Sequence, residues 1–146
     1  YALERQTLGR EDVDAVCVTQ ISNHIFDMVS AVSEKNQRHA LDLYYELLAL
    51  KEPPMRILFL LTRQYRLLFH VKSLVQQGYG RKEIASRAGL HPFAAGKYMD
   101  QSKRFRLGEL RSVMEEGARI EQDVKTGLLS DSLAVELFIV KYSAKS

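Results

Sequence analysis

Residues 52–78 read EPPMRILFLLTRQYRLLFHVKSLVQQG, and residues 81–105 read RKEIASRAGLHPFAAGKYMDQSKRF. The first stretch opens with two prolines, which suit the first turn of a helix and not its interior. Apolar residues then recur at spacings of three and four until Gly78, which is typical of an amphipathic helix and its end. The second stretch holds two shorter patterns, divided by Gly89 and restarted at Pro92. We therefore predict one long apolar helix followed by two short basic helices.

The long helix carries a wide apolar face. Its main stripe consists of Leu58, Leu61, Tyr65, Leu68, Val71 and Val75, and the face is widened by Leu60, Leu67 and Leu74. So wide a face predicts burial against several neighbours at once.

The flanking sequence continues the helical pattern in both directions. Upstream we predict a short helix over residues 11–20, a second helix capped by Asn23 and a third capped by Asn36, the last two forming an antiparallel pair. Downstream we predict a helix over residues 107–125 and a last one that starts near Ser130. The fold class is therefore all-α, a bundle of about seven helices.

The last helix is apolar on nearly every side between Leu133 and Val140, which is typical of a central, buried element. A strand is the competing interpretation, because β-branched residues are common in this segment. We favour the helix, since no other segment offers a strand for pairing.

The formal net charge of +3 hides an asymmetry. Residues 1–52 hold five Lys/Arg against nine Asp/Glu, whereas residues 56–111 hold twelve Lys/Arg against three Asp/Glu. A basic middle behind an acidic front suits nucleic acid or an acidic partner surface. For any single Lys or Arg, the alternative interpretation is an ordinary position on a solvated helix face.

Composition narrows the class of protein further. Cys17 is the only cysteine, so we expect no intramolecular disulfide, a buried thiol and a reducing, cytoplasmic compartment. The longest apolar run, residues 57–61, is too short to span a bilayer. Because the chain begins at Tyr1 without an initiator Met, we expect a piece of a longer protein.

The sequence predicts no catalytic, metal or cofactor site. Neither the phosphate-binding motif G-x-x-x-x-G-K-[ST] nor the nucleophile motif G-x-S-x-G occurs. The four histidines are too scattered for a local metal site: His24, His39, His70 and His91.

Residues 83–90 resemble the first half of a helix-turn-helix. Ala85 is the small residue inside the first helix, Gly89 makes the turn and Leu90 packs the pair. The next helix carries basic residues, but residues 93–96 are Phe-Ala-Ala-Gly where polar base-reading side chains are needed. A DNA-binding regulator that uses residues 81–106 is therefore the alternative function.

The order of these parts resembles the C-terminal domain of the delta subunit family of bacterial DNA polymerase III, a component of the clamp loader. The resemblance lies in segments whose order and spacing match along nearly the whole chain. These segments are residues 11–13, 23–27, 40–41, 52–53, the R-Q-Y-R segment at 63–66, 71–72, 83–85, 90–93, Lys97, 123–127 and the closing apolar helix.

The resemblance implies the helical fold of the clamp-loader collar, which is the ring formed by the C-terminal domains of the subunits. It also implies a role in oligomerisation during DNA replication. Residues 1–22 would be the end of an AAA+-type lid domain and linker, and residues 23–146 the helical collar domain. The implied partners are the delta prime and tau/gamma subunits and primed DNA, in the bacterial cytoplasm. The resemblance also implies that this subunit does not hydrolyse ATP and that the clamp-opening element belongs to an N-terminal region, which we expect to lie outside this chain.

Two sets of candidate site residues follow from the resemblance. Contacts to the DNA backbone are expected from Lys97, Lys103, Arg104, Arg106, Lys125 and Thr126. A partner interface is expected from Tyr44, Tyr45, Tyr65 and Phe69, residue types that are frequent at interface centres. Core filling is the alternative interpretation for each of these aromatic residues.

Overall fold

The computed structural model describes residues 8–144 of the 146-residue chain, with side chains from residue 20 onward. Over that range the chain is all-α and contains no strand. Its seven helices are α1 Leu8–Ser33, α2 Gln37–Ala49, α3 Pro54–Gln76, α4 Arg81–Ala88, α5 Pro92–Ser102, α6 Leu107–Lys125 and α7 Asp131–Ser143. Among these described helices, none combines the length and the hydropathy that crossing a membrane requires.

The prediction of two helices divided at Asn23 is wrong, because α1 is one continuous helix of 26 residues. Asn23 is exposed in its interior, while Ile21, Ile25 and Met28 continue one buried stripe past it. Cap-forming residue types disfavour a helix interior only weakly, and no Pro or Gly forces a break here. The domain division between residues 22 and 23 falls inside α1 and stays a prediction, and the Cys17 side chain lies outside the described part.

Other predicted boundaries are confirmed by their hydrogen bonds. The Asn36 side chain accepts a hydrogen bond from the backbone N–H of His39 at 3.2 Å and caps α2. His91 Nδ1 accepts from the N–H of Phe93 at 3.3 Å and caps α5. Gly89 ends α4 with φ at +71°, a left-handed conformation that glycine adopts without steric cost.

The long apolar helix α3 is the centre of the bundle, as its wide face predicts. It packs against α1, α4, α5, α6 and α7. One core cluster joins α3 to the surrounding helices, and Ile57 and Leu68 are fully buried within it. A second, smaller cluster under the C-terminal half of α3 consists of Val71, Leu74 and Ile84.

A buried amide network fixes α5 against α1 and α3. Gln64 Nε2 donates to Gln101 Oε1 at 2.8 Å. Gln101 Nε2 donates in turn to the Phe26 carbonyl at 3.0 Å and to Ser30 Oγ at 2.7 Å. Because Gln101 accepts from Gln64 and donates to α1, both glutamines are buried, and no buried side-chain N or O atom among the described residues lacks a partner.

The helical assignment of the last segment is confirmed, but its predicted burial on all sides is wrong. Ala134, Val135 and Phe138 are buried, whereas Leu133 and Leu137 are 46% and 47% exposed. The helix packs on α1, α2, α3 and α6, and the side that bears Leu133 and Leu137 is left partly exposed. When a helix is apolar on every side, its sequence does not show which side is buried. The sequence of α7 therefore does not reveal that this helix lies at an edge of the bundle.

Candidate interaction surfaces

Three of the predicted DNA contacts flank a buried aromatic residue between α5 and α6. Phe105 is 6% exposed and meets the Tyr65 ring edge-on, with ring centroids 5.7 Å apart. Its neighbours Lys103, Arg104 and Arg106 are all exposed. The anchoring of Phe105 therefore holds the connection in place and leaves the three cations on the surface.

Near this connection, Lys97 and Lys103 are already engaged within the chain. Lys97 Nζ lies 4.0 Å from the centroid of the Phe26 ring, a cation–π contact between α5 and α1. Lys103 Nζ lies 4.0 Å from Asp100 Oδ1, a weak surface pair. Within residues 20–144, Arg104 and Arg106 form no ion pair.

The structure does not bring Lys125 and Thr126 to the other predicted contacts. Lys125 is the last residue of α6 and Thr126 its C-cap, whereas Arg106 precedes the N-terminal end of the helix. The helix has 19 residues, so at about 1.5 Å per residue its ends lie about 28 Å apart. Lys125 Nζ pairs with Glu121 Oε1 at 3.0 Å. The six residues thus form two separate basic positions.

Tyr44 and Tyr65, two of the predicted interface residues, lie in the core. Tyr44 is fully buried and its hydroxyl donates to the Ser132 carbonyl at 2.8 Å, which ties α2 to α7. Tyr65 is 2% exposed beneath Phe105. Burial raises the pKa of both hydroxyls. Neither side chain offers surface to a neighbour, so both serve as core residues.

The other two predicted interface residues reach the surface. Tyr45 is 45% exposed, and its hydroxyl donates to Glu136 Oε1 at 2.8 Å. That hydrogen bond raises the pKa of Tyr45. Phe69 is half-buried, and the Arg111 guanidinium lies 5.7 Å from its ring centroid.

An apolar face on α7 was not predicted as a site. Leu133, Leu137 and the half-buried Val140 follow one another at spacings of four and three, with Glu136 beside them. We call this surface, together with the adjacent Tyr45, the α7 face. The sequence signal was the excess of apolar residues in α7, which exceeds what one buried side needs.

A second surface missed from the sequence runs along α3, which contains no Asp or Glu from Pro54 to Gln76. Its exposed residues recur at spacings of three and four, and we call them the α3 stripe: Arg56, Phe59, Arg63, Arg66 and His70. The spacing was visible in the sequence, but the wide apolar face of the same helix obscured it.

Two grooves border the α3 stripe and share Arg63, Leu67 and Leu90. The smaller, of about 160 Å³, opens toward α1 and α5. The larger, of about 500 Å³, reaches Arg66, His70 and the end of α4. Burial raises the pKa of Tyr98 at the smaller groove, and the charge of Arg63 opposes that rise. Both grooves are thus lined by leucine side chains and by Arg63, and the smaller one also by polar side chains.

Within the described part of the chain, no group of three or more His, Cys, Asp or Glu side chains is placed to hold a metal ion. α4 and α5 are joined by a short turn and pack on each other, but Ala95 is buried and the Arg81 side chain lies close to Gly96. The start of α5 therefore offers no polar side chains for reading bases.

Comparisons with known proteins agree on one family. A family model described as DNA polymerase III delta subunit, C-terminal domain, matches residues 22–142. DNA polymerase III subunit delta of Bacillus subtilis (strain 168) is 32% identical over 138 residues, which is 94% of this chain and 40% of that protein. The solved structure of the Bacillus subtilis DNA clamp loader delta protein (YqeN) matches with a TM-score of 0.80 and 33% identity, over 84% of this chain and 36% of that chain. The chain thus spans well under half the length of these relatives.

Proposed function

The chain belongs to the family formed by the C-terminal domains of DNA polymerase III delta subunits, and from this membership we propose that it holds a delta-type subunit in the clamp-loader ring during DNA replication. In this proposal the domain is a non-catalytic part of the collar, and it acts in the cytoplasm. Its partners are the delta prime and tau/gamma subunits and the primed DNA that passes through the assembly. Contact with the sliding clamp belongs to a region N-terminal to this domain.

The observation that carries the proposal is the exposed α7 face. Leu133 and Leu137 are each nearly half exposed on adjacent turns of one helix, and Tyr45 extends the surface across to α2. A contiguous apolar patch rimmed by polar groups is typical of a protein interaction site. The helix beneath is held rigidly by its buried side, so the face is preorganised for docking.

Retention of the remaining clamp-loader subunits by the immobilised 146-residue chain tests the proposal. We expect the wild-type chain to retain them and the double variant Leu133→Gln/Leu137→Gln to lose them, because both substitutions remove apolar contact area without breaking the helix. The matched control is Leu50→Gln/Leu128→Gln, which removes two exposed leucines outside α7 and should retain the subunits normally. A wild-type chain that retains no subunit would exclude the collar role.

We also propose that the basic connection before α6 contacts the DNA backbone within the assembled loader. Lys103, Arg104 and Arg106 provide charge there, with Lys97 nearby on α5, and such contacts carry no sequence information. Lys125 and Thr126 would form a second, separate contact. Reversal of Lys103, Arg104 and Arg106 to Glu should weaken primed-DNA binding by the whole loader and flatten its salt dependence. Unchanged salt-dependent affinity would remove these residues from the proposal.

We do not propose the alternative function, a DNA-binding regulator that uses residues 81–106. The family match covers residues 22–142 and includes α4 and α5 as parts of the larger domain. The apolar start of α5, with Ala95 buried, also lacks the side chains that direct base readout needs.

A further inference from the structure

The α7 face has two edges that differ in charge. On the edge toward α6, Lys141 Nζ lies 3.1 Å from Glu116 Oε1, and Arg119 donates to the same carboxylate. On the edge toward α2, Glu136 is half-buried, and Oε1 accepts a hydrogen bond from the Tyr45 hydroxyl. Within residues 20–144, Glu136 forms no ion pair. The α6 edge is therefore paired within the chain, whereas the α2 edge keeps a free negative charge.

Further negative charge surrounds the α2 edge. Asp42 is exposed one turn before Tyr45, and within residues 20–144 it forms no ion pair either. The pKa of Tyr45 is raised first by the hydrogen bond to Glu136, and the charges of Glu136 and Asp42 add to the rise, so both carboxylates lie near this hydroxyl. Neither residues 39–50 nor residues 131–140 contain a Lys or Arg. The α2 edge is thus acidic, with no compensating cation on its own helices.

This arrangement limits what can cover the α7 face. Leu137, which is 47% exposed, follows Glu136 directly in the chain. A protein surface that covers the leucine side chains therefore also removes water from the Glu136 carboxylate. Beneath a purely apolar surface the carboxylate would lose hydration without any compensation, which is costly for a charged group. A basic side chain on the partner removes this cost by pairing with the carboxylate.

We propose that the α7 face docks an apolar protein surface edged by an arginine, and that this arginine pairs with Glu136 beside the Tyr45 ring. The inference rests on the proposed function and names the chemistry of the partner at the same surface. An arginine fits better than a lysine, because its planar guanidinium binds a carboxylate through two donors and also stacks on aromatic rings. Asp42 lies farther out and attracts the partner's positive charge during association.

The test measures the binding kinetics of the purified delta prime and tau/gamma subunits on the immobilised 146-residue chain at several salt concentrations. Glu136→Gln keeps the shape of the side chain and an acceptor for Tyr45 but removes the charge. It should weaken binding tenfold or more, mainly through faster dissociation, because the partner's arginine is left buried without an anion. Glu136→Lys, which places two cations together, should abolish binding.

Asp42→Asn should act on a different step of binding. We expect association at low salt to slow about threefold with dissociation unchanged, because charges at the rim of an interface act on the encounter. The difference from the wild type should disappear at about 1 M salt, where the Debye length is about 3 Å. A slower association that persists at this salt concentration would remove Asp42 from the proposal.

The matched control is Asp27→Asn/Glu115→Gln, which removes two exposed carboxylates that form no ion pair within residues 20–144. It should bind the subunits as the wild type does. A loss equal to that of Glu136→Gln would reduce the effect to net charge and overturn the inference. Tighter binding by Glu136→Gln would also overturn it, since the partner's edge would then be apolar or acidic.

The outcomes separate this inference from the proposed function. If Leu133→Gln/Leu137→Gln loses the subunits while Glu136→Gln binds them normally, the collar role stands and the pairing arginine is excluded. A wild-type chain that retains no subunit excludes both. Sedimentation of the chain alone tests the other occupant of the face. Dimerisation that Leu133→Gln/Leu137→Gln abolishes would make a second copy the partner and overturn the inference.

Discussion

At the scale of single residues, Gly117 sets how closely α6 approaches α3. A Cβ atom at this position would overlap the γ-methyl group of Thr62 and touch the Phe138 ring at 3.9 Å. Gly108, on the same helix, has nothing within 4 Å of the equivalent point. The two glycines therefore differ in whether a methyl group can be accommodated, although both lie in α6.

Gly117→Ala should lower the free energy of unfolding by about 1 kcal/mol, because overpacking costs about 1–3 kcal/mol and the gain in helix propensity returns about 1 kcal/mol. Gly108→Ala should leave it unchanged or raise it, and urea denaturation measures both. On a Thr62→Ser background, which lacks the γ-methyl group, Gly117→Ala should cost less. An equal cost on both backgrounds would mean that the contact with Thr62 is not the cause.

Two neighbouring tyrosines show that the helical period predicts which side chain is buried. Tyr44 and Tyr45 are adjacent in the chain, but one step along a helix rotates the side chain by about 100°. The buried residues of α2 are Ala40, Leu43, Tyr44 and Leu47, which share one face of the helix, whereas Tyr45 is 45% exposed. Residue type alone suggested both as interface residues, and periodicity was the more reliable guide.

At the scale of helices, the Glu116 side chain links the last two helices, α6 and α7. Its carboxylate accepts hydrogen bonds from Arg119 on α6 and from Lys141 on α7, where Nζ lies 3.1 Å from Oε1. Burial pushes the pKa of Glu116 up, but the hydrogen bonds and the positive charges of Arg119 and Lys141 outweigh that effect and leave the pKa lowered. The ionised form is therefore favoured more in the folded than in the unfolded state.

A lowered pKa contributes stability above the ordinary carboxyl pKa, and this contribution is lost as pH falls through the folded value. Between about pH 5 and pH 3 the wild-type chain should lose more unfolding free energy than Glu116→Gln, since the variant has no proton to take up there. Glu115→Gln, an exposed neighbour, should follow the wild type. Denaturant titrations at several pH values make the comparison, and parallel wild-type and Glu116→Gln curves would contradict the role of this carboxylate.

Helix ends were predictable wherever the chemistry forces them. Pro54, Pro92 and Gly89 each stand at a helix boundary, because Pro cannot continue a hydrogen-bond ladder and Gly adopts positive φ freely. The false break at Asn23 rested on a residue type that favours caps but tolerates a helix interior. The edge position of α7 could not be predicted, since Leu133 and Leu137 differ from their buried neighbours only in what packs on them.

At the scale of the whole molecule, the apolar interior is divided unevenly. The main cluster joins six helices, whereas the satellite cluster of Val71, Leu74 and Ile84 holds α4 against α3 and α5. The sequence predicted the helices from α2 to α7 and divided α1 wrongly, and it did not show which helices share a core. The predicted helix over residues 107–125 already separates Arg106 from Lys125, although both residues were expected to contact DNA.

This division predicts that α4 opens without unfolding the rest of the bundle. Segments with few buried apolar contacts exchange their amide hydrogens through local opening at a lower free energy than the core. We therefore expect amides of α4 to exchange faster than those of Leu58 to Leu68 in α3 under native conditions, as measured by hydrogen exchange.

Ile84→Ala, which empties a fully buried site at a cost of about 2–5 kcal/mol, should accelerate exchange in residues 71–90 and leave α7 unchanged. Ile84→Val should do the same to a smaller extent, since that change typically costs about 0.5–1.5 kcal/mol. If α4 proved as protected as the middle of α3, or if Ile84→Ala accelerated exchange uniformly, the bundle would unfold as one unit, and the groove beside α4 would be as rigid as the core.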